Sequence, residues 1–149
     1  MRTSVFTAVT LAAGALAAKE QVTVSKLSVH SIESPAGHKI PSVSLVVNGD
    51  DADNLKCSAK DLGFPMPEYL LPCAGSNYSF TLWEGQRDTK FHVMVYHDVG
   101  DSHADLRGGA DIRTTCDNGQ GSGPADEICT QVKPVSFQID GPIGLTPFD

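Results

Sequence analysis

The sequence predicts an all-β fold, a single compact antiparallel β-barrel or sandwich held by two disulfides. Three observations carry this. Apolar and polar residues alternate along most of the chain, turn-forming residues separate the alternating runs, and the four cysteines form an even set. Alternation at period two turns one set of side chains to a core and the other to a wetter face. No run of twelve residues shows the clean 3.6 period of an amphipathic helix.

Residues 1–18 read as a secretory signal peptide and residues 19–149 as a single disulfide-stabilised β-domain. Arg2 gives the positive start, Val5 to Leu16 the apolar stretch, and Ala15, Ala17 and Ala18 the small-residue exit. The apolar run ends at Lys19 and Glu20, short of the roughly 20 residues a helix needs to cross a bilayer. Cleavage after Ala18 removes one positive charge and takes the net charge from −7 to −8. Such an acidic surface suits neither nucleic-acid phosphates nor anionic lipid, which recruit Lys and Arg. No second long apolar run follows, so the mature chain is expected to be soluble, with no membrane insertion.

The alternating runs come in order. Val22 and Val24, then Leu27 and Val29, alternate with Thr23, Ser25 and Ser28, and Ser34-Pro35-Ala36-Gly37 ends the run. Val43, Leu45 and Val47 alternate with serines. Asn48-Gly49-Asp50-Asp51 follows, and Asn-Gly between two such runs signals a hairpin because both residues tolerate positive φ. Leu55 and Cys57 flank Lys56. The segment Leu62 to Pro72 carries Gly63, Pro65, Pro67 and Pro72 and cannot be a long helix. Tyr78, Phe80 and Leu82 alternate with Ser79 and Thr81, and Glu84-Gly85-Gln86 separates them from Phe91, Val93 and Val95. Ile112 and Thr114 precede Cys116, a glycine-rich loop spans Asp117 to Pro124, and Val135, Phe137 and Ile139 form the last run. Seven or eight strands are expected. A barrel or sandwich is how such a chain covers its strand edges.

All four cysteines, Cys57, Cys73, Cys116 and Cys129, follow the signal segment, as in a disulfide framework for an oxidising compartment. Three pairings are open; the sequence-local one would close two short loops, with spacings of sixteen and thirteen residues. A structural zinc site would want close CxxC pairs, and there are none.

The search for reaction chemistry yields no catalytic motif, no metal site and no cofactor site. There is no GxSxG, and Gly119 to Gly123 lacks the GxxxxGK[ST] order of a phosphate loop. His97 to Asp105 offers two imidazoles and three carboxylates, but its spacing matches no EF-hand, and it reads as a solvated loop. His92 and His97 are an odd number apart in a strand-like run and would face opposite sides. Asp50, Asp51 and Asp53 sit where a turn would place them anyway, and His30 and His38 carry no motif. Trp83 breaks the phase of Tyr78, Phe80 and Leu82; it is a candidate interface residue if the strand continues, and a core residue if the chain bulges. Asn77-Tyr78-Ser79 makes Asn77 a candidate N-glycosylation site.

The stretch from Lys56 to Gln131 resembles the Alternaria major-allergen family of small secreted fungal proteins, which includes elicitors of plant hypersensitive responses. The matching pieces are Lys56-Cys57-Ser58-Ala59, then Cys73 ahead of Tyr78-Ser79-Phe80, then Cys116 and its loop leading to Gly123-Pro124-Ala125-Asp126-Glu127-Ile128-Cys129-Thr130-Gln131. The resemblance implies a compact β-barrel with Cys57–Cys73 and Cys116–Cys129 bonded. It also implies a filamentous fungal source and an apoplastic role, and it carries over no catalytic residue. Allergen members link two subunits through an extra cysteine near the mature N-terminus. Residues 19–56 contain none, so a covalent dimer is not expected and any dimer is non-covalent.

The expected function is that of a secreted elicitor or effector that acts on the plant by being bound and recognised. The expected partner is an unidentified plant extracellular or cell-surface protein. The alternative is a β-barrel carrying one small ligand in its interior; a third reading is a hydrolase with an unrecognised carboxylate pair.

Overall fold

The structure, a computed structural model, describes residues 19–65, 69–100, 106–119, 123 and 125–140. The signal segment therefore lies outside the described residues, as do residues 101–105 and 120–122 of the two loops considered above. The described chain is all-β, in ten strands: β1 (Glu20–Ser34), β2 (Gly37–Gly49), β3 (Ala52–Phe64), β4 (Leu71–Pro72), β5 (Tyr78–Glu84), β6 (Phe91–His97), β7 (Leu106–Ile112), β8 (Thr114–Asp117), β9 (Asp126–Gln131) and β10 (Val135–Ile139).

They form two antiparallel sheets. The larger runs β3-β2-β1-β9-β8, with β10 also paired to β1; the smaller runs β4-β5-β6-β7. β1 is long enough to serve two partners along one edge: Glu20–Val24 pair with β10, and Ser28–Ile32 pair with β9. One side of the sandwich is drawn together where β10 meets β7. The Asp140 amide donates to the Arg107 carbonyl at 3.3 Å, and Gly108 permits the approach, because a Cβ there would lie 2.4 Å from the Gln138 carbonyl oxygen. The other side is tied covalently. Cys57 in β3 is bonded to Cys73 just after β4, with a Cα–Cα distance of 4.5 Å. Cys116–Cys129, with Cα atoms 3.9 Å apart, joins directly opposed positions of β8 and β9. Both are the bridges the family resemblance implies, and the first ties sheet to sheet as well as closing a loop.

Two kinks explain the phase changes in the sequence. Val22 and Val24 are buried on one parity, Leu27 and Val29 on the other. The register slips by one residue between Ser25 and Ser28, a β-bulge, and Lys26 takes φ 54° there, in the left-handed region that one kind of bulge uses. A second slip faces Ile40 and Pro41 of β2, a place where a residue without an N–H is tolerated. The core is built from the inward residues of both sheets, with Tyr78, Phe80, Leu82, Phe91 and Ile112 of the smaller sheet packed on Val22, Val29, Leu45 and Ile139 of the larger.

The sequence expectation of seven or eight strands falls short. β4 is only two residues long, and β7 reads Leu-Arg-Gly-Gly-Ala-Asp-Ile, whose glycines erase the alternation. The run expected across Ile112–Cys116 divides at Arg113, where the chain leaves one sheet and enters the other. The hairpin after β2 is present, but Gly49 pairs with Ala52, so Asp50 and Asp51 make the turn. Neither Asn48 nor Gly49 takes a positive φ; the glycine is there for space.

Candidate functional site

One end of the sandwich holds a buried polar group set. Glu20 opens β1 in phase with Val22 and Val24, so its side chain points inward. Its Oε1 accepts from the Tyr78 hydroxyl at 2.6 Å and from the Asp50 amide at 2.8 Å. Its Oε2 lies 2.6 Å from His97 Nδ1. The Tyr78 hydroxyl accepts in turn from the Asp51 amide at 3.1 Å, and its ring stacks on the His97 ring with centroids 4.0 Å apart and planes 12° from parallel. His97 Nε2 reaches the exposed Asp51 carboxylate at 3.4 Å. Gly49 closes over this cluster: a Cβ there would sit 2.3 Å from Glu20 Oε1. The side chains of His97 and Glu20 are 3% and 2% exposed.

Burial alone would raise the Glu20 pKa. The hydrogen bonds from Tyr78, His97 and the Asp50 amide, with the charge of His97, outweigh it and hold the carboxyl below its ordinary value near 4.5. Burial, then the bond to Glu20, pushes the Tyr78 phenol well above its ordinary range. The set staples the start of β1 to the end of β6 and to the β2–β3 turn. Tyr78→Phe, which leaves the Asp51 amide without its acceptor and Glu20 without one donor, is expected to cost about 1–3 kcal/mol in urea unfolding. A loss below a few tenths would show that the turn finds other partners.

The outward face of the smaller sheet is different. β5 continues through Glu84, so Trp83 faces away from Leu82 and stands opposite His92 of β6. It is half-buried, and its Nε1–H donates to Thr81 Oγ1 at 2.8 Å. Tyr96 OH lies 3.5 Å from the same hydroxyl. His92 Nδ1 is 2.8 Å from Asp111 Oδ1, and His92 and Met94 fold across Gly109 of β7. On this face Trp83 and Tyr96 are thus half-buried and lie beside the buried side chains of Met94 and His92.

His92 and His97 lie on opposite faces, and His97 is committed to Glu20. Asp50 and Asp51 are brought to the buried set, while Asp53 only meets Asn54 on the surface. His30 Nε2 pairs with Asp126 at 2.6 Å. His38 enters a rim cleft at the opposite end. Asn77 is exposed just before β5; its carbonyl accepts from the Asp98 amide at 2.9 Å. Cys116, Glu127 and Cys129 cluster closely enough to suggest metal ligands, but both sulfurs are spent in the disulfide. Sequence reasoning missed Glu20 and Tyr78. The signal was available: Glu20 shares the parity of Val22 and Val24, which places a carboxylate on the core face.

The comparisons with known proteins agree with this architecture. The family model described as Alternaria alternata allergen 1 matches residues 24–129. "Effector protein PevD1" of Verticillium dahliae is 35% identical over 101 residues, 68% of this chain and 61% of the relative. The chain thus spans less than two thirds of that relative's length. The same identity and coverage hold for the protein of that name from the strain VdLs.17. Two crystal structures of the Alternaria alternata allergen Alt a 1 superpose with a TM-score of 0.59 at 18% identity, covering 81% of this chain and 88% and 93% of theirs, which shows a shared fold. The family match covers more than half of the chain and includes both disulfides, so the chain belongs to the Alternaria alternata allergen 1 family.

Proposed function

We propose that this chain is a secreted fungal effector that acts in the plant extracellular space by binding a host extracellular or cell-surface protein, with no bond chemistry of its own. The observation that carries the reading is the effector relative at 35% identity over 101 residues. The architecture supports it: the inward side chains of both sheets pack on each other, which favours recognition by surfaces over carriage of a ligand in the interior. Trp83 is the proposed anchor. It is a large amphipathic side chain, half-buried and fixed by its bond to Thr81, which limits the rotamer entropy lost on binding.

Leaf infiltration with fold-checked Trp83→Ala is the test. The expected result is a dose–response curve displaced by about tenfold or more, as loss of an anchor worth over ~1.4 kcal/mol requires, with the full response recovered at higher dose. A single carboxylate or imidazole substitution that abolished the response at every dose while the fold survived would indicate catalysis and overturn the proposal.

Secretion belongs to the same proposal. Cleavage after Ala18 leaves Glu20 in place as the second residue of the mature chain, where β1 needs it. N-terminal sequencing of protein from culture medium is expected to begin at Lys19; a start at Met1 would reject the signal-peptide reading. Asn77 is proposed to carry a glycan, since it is exposed and its amide side chain lies ahead of the first residue of β5. Asn77→Gln is then expected to remove one endoglycosidase-sensitive mass step from the secreted protein. Any dimer is proposed to be non-covalent, because the described cysteines are all used within the chain.

A further inference from the structure

The two disulfides stand in opposite situations. Cys57 and Cys73 are both buried in the core and tie sheet to sheet. Cys116–Cys129 lies within one sheet, across directly opposed positions of β8 and β9. Opposed residues of antiparallel strands have Cα atoms about 4.5 or 5.5 Å apart, whereas a disulfide mostly holds them about 5.5–6 Å apart. Ladder and bridge therefore compete for one spacing, and here the pair is held at 3.9 Å. Little else depends on this bond. β8 is a four-residue edge strand whose only strand partner among the described residues is β9, and β9 is held on its other side by its own ladder to β1. Access is one-sided as well. Cys129 is fully buried and Cys116 is half-buried, so a reagent from solvent meets Cys116 first. Glu127, beside both sulfurs, pairs with the exposed Lys90, which places the bond close to the surface.

We propose that Cys116–Cys129 is a thiol-exchange site, opened by a small thiol of the glutathione class while the sandwich and Cys57–Cys73 stay intact. The external thiolate attacks Cys116 Sγ and forms a new S–S bond there. The electron pair of the old bond leaves on Cys129 Sγ, which takes a proton from water. A second external thiolate then attacks the outer sulfur of the mixed disulfide, releases Cys116 as a thiolate and departs as the oxidised thiol dimer. The external thiols together lose the electron pair that the protein bridge gains. Two neighbours set the rate. Cys116 Sγ, Cys129 Sγ and a carboxylate oxygen of Glu127 all lie within 4.8 Å of one another. That carboxylate repels the negative charge forming on the leaving sulfur, and the Lys90 ammonium offsets part of the repulsion. Thr114 Oγ1 stands 3.9 Å from Cys116 Sγ and can donate to the thiolate released there in the second step. Glu127 is thus a brake on the opening. Once the bond is open, β8 keeps only its ladder to β9, and a short edge strand without a cross-link is drawn from the low-stability end of a fold. The proposal concerns a bond within the larger sheet and does not rest on Trp83 or on a host protein.

The test is stepwise reduction of the purified, disulfide-intact protein in glutathione mixtures at neutral pH without denaturant. Free thiols are trapped with iodoacetamide and located by peptide mapping. Cys116 and Cys129 are expected to become free at a glutathione level at least about tenfold below the one that opens Cys57–Cys73, with unchanged near-UV circular dichroism. At partial reaction the glutathione adduct is expected on Cys116, with Cys129 alkylated. Hydrogen exchange of the reduced protein is expected to quicken by about tenfold or more at the amides of β8 and to keep the parent's rate in β2 and β5. The double change Cys116→Ala and Cys129→Ala stands in for the open form and is expected to show the same β8 exchange with no reductant present. Glu127→Gln, checked for an unchanged near-UV signal, is expected to open the bridge several-fold faster at equal glutathione, a readout that a merely structural carboxylate would not move. Opening of Cys57–Cys73 first, opening of both bridges together, or opening only where the near-UV signal is lost would each overturn the proposal. An adduct confined to Cys129 would overturn the assigned direction of attack, and an unchanged opening rate in Glu127→Gln would overturn the brake.

Discussion

Replacing Cys57 and Cys73 together by alanine is expected to lower the stability of the folded protein by about 2–5 kcal/mol, and its Tm by roughly 10 °C. Two effects add. The bridge closes a loop of sixteen residues, and on the loop-entropy account a cross-link of that span constrains the unfolded chain by about 3 kcal/mol. Both sulfurs are also buried in the core, 1% exposed, so the change removes packed volume between the sheets. The location raises the stakes further. β4 is two residues long and is bound to its sheet only through Leu71 and Pro72, so the bridge is the main tie between β3 and that edge of the smaller sheet. Breaking Cys116–Cys129 instead joins nothing new across the sandwich, because β8 and β9 are already hydrogen-bonded neighbours. The double alanine change at Cys57 and Cys73 is therefore expected to lower the urea midpoint more than the same change at Cys116 and Cys129. A Tm within about 2 °C of the parent would show that the sheets hold together without the bridge. If the protein signals by being recognised, the plant response should fall in step with the near-UV signal in the Cys57–Cys73 variant.

The parts of the fold that rest on period two were readable from the residues. β1, β2, β5, β6 and β10 carry clear alternation, and each was anticipated close to its place. The parts that escaped have a shared physical cause. β7 holds Gly108 and Gly109 because β10 crowds one side of it and Met94 and His92 cover the other. A strand squeezed from both sides loses the side chains that would have revealed it. β9 reads Asp-Glu-Ile-Cys-Thr-Gln, where Asp126 is drawn in by His30 and Glu127 by Lys90, so tertiary ion pairs replace apolar patterning. The Asn-Gly signal gave the right hairpin for the wrong reason. Gly49 serves the carboxylate of a residue 29 positions upstream, and no local turn rule contains that fact.

The polar sites were legible in part. The opposite orientation of His92 and His97 follows from strand parity alone. That His97 is buried, and by what, depends on the first residue of β1 meeting the last residue of β6, a contact 77 positions apart in sequence. Trp83 was undecided between an outward and an inward position until the continuation of β5 to Glu84 fixed it on the outer face. The rim cleft was invisible: Glu33, Glu84 and Glu127, which line it, belong to three separate strands, and each alone looks like a solvated surface charge.

Glu20→Ala is expected to be among the most damaging single substitutions outside the disulfides, at about 3–5 kcal/mol, because it leaves the partners of a buried charge uncompensated. The Tyr78 hydroxyl and the Asp50 amide would lose their acceptor, and His97 would lose its carboxylate, in a site 4% exposed. Glu20→Gln keeps the shape and one carbonyl acceptor, so its cost is expected to be smaller, about 1.5–3 kcal/mol, the scale of a hydrogen bond to a charged group. The glutamine variant also isolates the pH dependence. The folded state holds the Glu20 carboxyl below its ordinary value near 4.5, so folding favours the ionised form. The resulting stability is fully present above about pH 4.5 and is lost as pH falls from there through the lower, folded value; below both values, folded and unfolded chains bind the proton equally and nothing remains. Urea midpoints measured from neutrality to about pH 3 should therefore fall more steeply for the parent than for Glu20→Gln, and the two curves should converge at the acid end. Other paired carboxylates, such as Asp126 beside His30 and Asp111 beside His92, act in both proteins and cancel in the difference. Parallel acid limbs would mean that folding leaves the proton affinity of Glu20 unchanged, and a parent that gained stability relative to Glu20→Gln as pH fell would mean that the carboxyl is protonated in the folded state. A converging pair would show that the ionised form of this buried carboxylate adds stability to the sandwich above pH 4.5, beyond the strand ladders that β1 makes with β2, β9 and β10.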